Sequence, residues 1–136
     1  MKTVEEIINV LGGLDHLKSH PIKLTVEGFM PLCIEHIGTG PRGLPLISVA
    51  MYFEQNGDMM RDPDLVMEWD MPAGKWLPVS FRNDAVGVWH EGVEWNGTKL
   101  IEHAALVADL NEFAASWSND LRCQGFLNEA KRSAGK

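Results

Sequence analysis

Three features of the sequence predict an α+β domain: an antiparallel sheet of five or six strands, with N-terminal and C-terminal helices packed on one face. Apolar residues recur at helical spacing at both ends of the chain. Through the middle they alternate with polar residues at period two. Tight-turn dipeptides, Asn56-Gly57, Asn83-Asp84 and Asn96-Gly97, punctuate that middle. Helices flanking a run of hairpins fit one antiparallel layer with one covered face. At 136 residues the chain suits a single domain spanning 1–136.

The first element is a helix. Thr3 and Glu6 have the spacing of a capping box, and Ile7, Ile8, Val10 and Leu11 supply an apolar face. Gly12-Gly13 interrupts it, and His20-Pro21 ends a short second turn. From Ile22 the period becomes two. Leu24 and Val26 form one strand, Gly28 turns the chain, and Met30, Leu32 and Ile34 form the next.

Leu46 to Gln55 is a long apolar strand that turns at Asn56-Gly57. Its returning partner is expected at Leu65 to Trp69, after a connection through Met59–Pro63. Further strands are expected at Trp76 to Phe81, with Pro78 marking an edge or bulge, and at Val86 to Trp95. Leu106, Leu110, Phe113, Ala114, Trp117 and Leu121 form one helical stripe, which Asn119 or Gly125 divides.

Composition narrows the functional classes. The formal charge is −7, from 19 acids and 12 bases. Nine acids and three bases lie between Glu54 and Glu94, so −6 of that charge belongs to the middle of the chain. No basic cluster is present, which disfavours binding to phosphate backbones. No apolar run is long enough to cross a membrane. Cys33 and Cys123 form no CxxC, and the N-terminus lacks the pattern of a secretory signal; a cytoplasmic protein with reduced thiols is expected.

Common catalytic patterns do not occur. The five histidines form no HExxH or HxH, and His36 and His90 could meet only across strands. No G-x-S-x-G is present. The loop Gly38–Gly43 lacks the Gly-Lys-Ser/Thr ending of a phosphate loop.

The chemistry-bearing residues concentrate in Tyr52–Pro63 and near Asp84 and Glu91. Tyr52, Glu54, Asn56, Asp58, Arg61, Asp62, Asp84 and Glu91 are the candidate binding surface. Asn56 takes positive φ cheaply, Asp58 or Asp62 can form Asx-turns, and the Arg61 fork can bridge two carboxylates, so the same residues can also serve simply to brace the hairpin. Glu54, Asp58, Asp62 and Asp84 are alternatively a hard-oxygen site for Mg²⁺ or Ca²⁺, although EF-hand spacing is absent. Five tryptophans point mainly to the core, with any surplus on the open sheet face available to a partner.

The string Tyr-x-Glu-Gln-Asn-Gly-Asp-x-Met-Arg-Asp-Pro, here Tyr52 to Pro63, is joined by a second block of Trp76, Pro78, Asn83-Asp84, Gly87 and Glu91. Together they resemble an uncharacterised family of small bacterial domains carried on phages, plasmids and integrative elements. The resemblance implies a mobile-element context and supplies no catalytic residue. The leading expectation is a non-enzymatic accessory protein that binds a protein partner, with counter-defence by charge mimicry as one version. A metal-dependent hydrolase or nuclease and a self-associating homo-oligomeric module are the alternatives.

Overall fold

The computed structural model describes residues 1–135 and has the expected α+β architecture. α1 (Lys2–Val10) and α2 (Gly13–Leu17) precede the sheet. β1 (Ile22–Leu24), β2 (Leu32–Thr39), β3 (Pro45–Gln55), β4 (Asp58–Asp70), β5 (Lys75–Asn83) and β6 (Val88–Glu91) form a six-stranded sheet in chain order. All adjacent pairs are antiparallel. β7 (Val93–Trp95) and β8 (Leu100–Glu102) form a separate hairpin. α3 (Ala104–Cys123) and α4 (Phe126–Ala134) complete the domain.

Register explains how the two faces differ. Ile34, Val49, Leu65 and Phe81 are cross-strand neighbours from β2 to β5. With Ile47 and Met67 they meet Ile7, Ile8, Leu110, Trp117, Leu121 and Phe126 from the helices in one core. Each fully buried side chain of this kind contributes about 1.5–3 kcal/mol by leaving water. Alternation sends the intervening residues to the opposite, helix-free face.

Several expectations are corrected. Thr3 does not cap α1. It lies within the helix, where its N–H donates to Ser118 Oγ (3.0 Å) and its hydroxyl to the Ser118 carbonyl (2.7 Å). Glu6 reaches across to Arg122 instead, so two side chains that could have served each other locally tie α1 to α3. Met59–Pro63 is not a connection but the first half of β4, because Asn56 (φ 53°) and Gly57 (φ 86°) make a two-residue turn with primed geometry that pairs Gln55 directly with Asp58.

Val86–Trp95 is not one strand: Gly92 divides it into β6 and β7. A Cβ at Gly92 would lie 3.2 Å from both Val107 Cγ2 and the Val79 carbonyl, a tight contact where α3 and β5 approach the chain. β1 ends at Leu24 and so excludes Val26, while β2 starts at Leu32 rather than Met30 and runs on to Thr39, into the stretch expected to be loop from Gly38. Pro78 sits at the bulge where Val66 pairs with Ser80 but Met67 with Pro78. His36 and His90 do not meet, since β3, β4 and β5 separate their strands. Gly125, with φ 95°, divides the C-terminal helical region.

Candidate functional site

Two rows of side chains cross the helix-free face. Cys33, Ala50, Asp64, Arg82 and Trp89 are successive partners from β2 to β6. Glu35, Ser48, Val66, Ser80 and Glu91 form the next row. Tyr52 lies opposite Arg61 at the β3–β4 end.

That end is shaped by a bulge. Ala50 pairs with Asp64 and Tyr52 with Arg61, so Met51 faces both Asp62 and Pro63. The extra residue returns Arg61 to the same face as Asp64. Arg61 then stands 3.6 Å from Asp64 through Nε and 3.4 Å from Asp84 through Nη1.

Asp84, in the β5–β6 turn, closes the irregularity. Its Oδ2 accepts the Arg61 backbone N–H at 2.9 Å, and its own N–H donates to the Arg61 carbonyl at 2.8 Å. Its Oδ1 accepts Arg82 Nε at 2.8 Å. The Arg61 N–H first, and Arg82 second, hold the Asp84 carboxyl below its ordinary range.

The network continues to the sheet edge. The Arg82 guanidinium lies 4.5 Å from the Trp89 ring centroid, and Trp89 Nε1 donates to Glu91 Oε1 at 2.8 Å. Trp89 remains 62% exposed, so its indole is held in place without being buried. In the other direction Ser48 Oγ donates to Asp64 at 2.6 Å. Burial raises the Asp64 carboxyl above its usual range, with the Ser48 hydrogen bond and Arg61 opposing the shift. Burial, followed by the nearby Asp64 charge, raises the Tyr52 phenol.

The predicted residues therefore separate. Tyr52, Arg61, Asp84 and Glu91 belong to this open-face system. Asp62 turns away from it to accept Asn83 Nδ2 at 2.9 Å. Glu54, Asn56 and Asp58 are exposed at the β3–β4 tip. The alternative carboxylate set is thus spread over three surroundings, and no group of three or more His, Cys, Asp or Glu among the described residues is arranged to hold a metal ion.

Ser48, Asp64, Arg82 and Trp89 belong to the network but were not among the predicted residues. Period-two counting from Tyr52 reaches Ser48. The same counting places Arg61 and Asp64 on opposite faces, which is wrong because of the bulge.

A second carboxylate centre was also not predicted. Glu68 is fully buried. It accepts the backbone N–H groups of Arg42 (3.1 and 3.0 Å to its two oxygens) and Leu44 (3.0 Å), together with Arg42 Nη1 (3.1 Å). Arg42 also donates to Glu102 (2.8 Å) and to the Pro78 carbonyl (3.2 Å). The glycine-rich loop does cradle an anion, but the anion is this chain's own Glu68. A Cβ at Gly40 would fall 2.3 Å from Glu68 Cγ.

No curated protein and no solved structure matches the chain. The chain belongs to the family described as a domain of unknown function (DUF6908), which matches residues 2–127.

Proposed function

We propose that this domain is a non-enzymatic protein-binding module whose helix-free sheet face, from Tyr52 and Arg61 to Trp89 and Glu91, contacts a protein partner. One observation carries this reading: an exposed tryptophan is fixed between Arg82 and Glu91 at the margin of a platform whose charged groups are already oriented by each other. Tryptophan and arginine dominate the binding energy of many interfaces, and a side chain fixed beforehand loses less rotamer freedom on association.

The Tyr52–Pro63 string supports an accessory role in a mobile genetic element, acting in the cytoplasm of the host. Antagonism of a host defence protein is the narrower form of that role, favoured by the acid-rich centre of the chain.

Affinity capture from a bacterial host, run in parallel with the Trp89→Ala and Arg82→Ala variants, tests the reading. A partner retained by the parent chain and lost from both folded variants supports it. Equal capture by all three proteins rejects this face as the contact surface. Calorimetric titration with Mg²⁺, Mn²⁺ and Ca²⁺ tests the competing hydrolase reading; saturable binding abolished by Asp84→Asn would favour that alternative.

A further inference from the structure

Among the described residues β6 is an edge strand with one partner, β5, and no strand pairs with its outward side. The Gly92 N–H donates to the Val79 carbonyl at 2.7 Å, so Gly92 faces β5. Antiparallel ladders alternate, which turns the N–H and C=O groups of Val88 and His90 toward β5 as well. Those of Trp89 and Glu91 face outward. The strand carries neither proline nor lysine, residues that commonly block such an edge.

The geometry points to a second copy of this chain as the occupant, with β6 pairing antiparallel to β6 of the other copy about a two-fold axis through His90. This register sets Trp89 of each copy against Glu91 of the other. Both residues present outward N–H and C=O groups, so each of the two symmetry-related pairs closes a complete ring of two backbone hydrogen bonds.

Side-chain chemistry agrees with that register. On the open face the Trp89 ring, with its one indole N–H donated to Glu91 of its own chain at 2.8 Å, lies against Glu91 of the other copy. Arg82 lies behind the ring on the neighbouring strand, so the row runs from cation to aromatic ring to the other copy's carboxylate. Shifting the register by two residues opposes Trp89 to Trp89 and moves Glu91 beyond the facing strand. The first register therefore uses both outward pairs, and the second uses one. Because the axis stands perpendicular to the sheet, the open faces of both copies lie on one side. The inference needs no external partner and does not rest on the proposed function.

Sedimentation equilibrium of the full chain over a concentration series tests this. A mass approaching twice 15.2 kDa is expected, falling to that of one chain on dilution. Glu91→Pro removes an outward donor without touching the β5 ladder, and His90→Lys places like charges across the axis. Both are expected to be monomeric with an unchanged circular dichroism spectrum. In a Cys123→Ser background, His90→Cys is expected to cross-link two chains on mild oxidation, because a non-hydrogen-bonded antiparallel pair holds its Cα atoms about 4.5 Å apart, within disulfide range. Two results overturn the inference: a wild-type chain that stays monomeric throughout, or a dimer that survives both variants and forms no cross-link when His90→Cys is oxidised.

Discussion

Glu68 and Asp84 are both carboxylates held by an arginine and by backbone N–H groups, yet they serve different ends. Glu68 is sealed by its own loop, with Gly40 packed so closely that no side chain fits between them. Asp84 braces a bulge at the margin of an open face and shares its two oxygens between Arg61 and Arg82. The enclosed carboxylate joins the β2–β3 loop to β4 and, through Arg42, to β5 and β8. The open one orders a surface. Both side chains are largely shielded, and what separates the two carboxylates is the loop that closes over Glu68 and not over Asp84.

The sharpest way to break this contrast is Arg42→Ala. It leaves Glu68 buried without its countercharge and is expected to cost about 3–5 kcal/mol in urea unfolding. Gly40→Ala forces a Cβ into the Glu68 side chain; the cost expected from overpacking is about 1–3 kcal/mol. Equal stability of these two variants and the parent would show that the Glu68 enclosure does not anchor the fold.

Asp84 should be read through pH. Its folded carboxyl is depressed, so the stability it contributes is present above the ordinary carboxylate range and is lost as pH falls through the folded value. Asp84→Asn is therefore expected to lower the melting temperature at neutral pH and to flatten the acid limb of the stability profile. Asp64 carries the opposite sign. Its folded carboxyl is raised, so its contribution is complete below the ordinary range and is lost as pH rises through the folded value. Relative to the parent chain, Asp64→Asn should gain stability from acid to neutral pH, measured by urea unfolding along that series.

The smallest stability effect is expected at Trp89. Its exposed ring makes Trp89→Ala close to neutral, within about 0.5 kcal/mol. Loss of partner capture without loss of stability would sharpen the distinction between platform and anchor. A large destabilisation would move Trp89 to the structural side.

Much of the fold was legible in the residues. The helical stripe from Leu106 to Leu121, the breaks at Gly12-Gly13 and Gly125, and the Asn56-Gly57 turn follow from local periodicity and backbone preference. These are short-range properties, and the sequence carries them directly. Arg61, Asp62 and Asp84 were named together as candidate binding residues, and the structure sets Arg61 against Asp84 but turns Asp62 to Asn83.

Local sequence alone determined the helical stripes at the two ends of the chain, the period-two character of its middle and the Asn56-Gly57 turn. Tertiary structure decided which charges meet. Thr3 and Glu6 could have capped their own helix, but Ser118 and Arg122, more than 100 residues away, engage them instead. Arg61 joins Asp64 on one face only because the β4 bulge adds a residue to the count. Glu68 is caged only because a glycine-rich loop folds over it. Backbone propensity acts over a few residues, whereas hydrogen-bond partners are fixed by strand register and by which groups packing excludes from water.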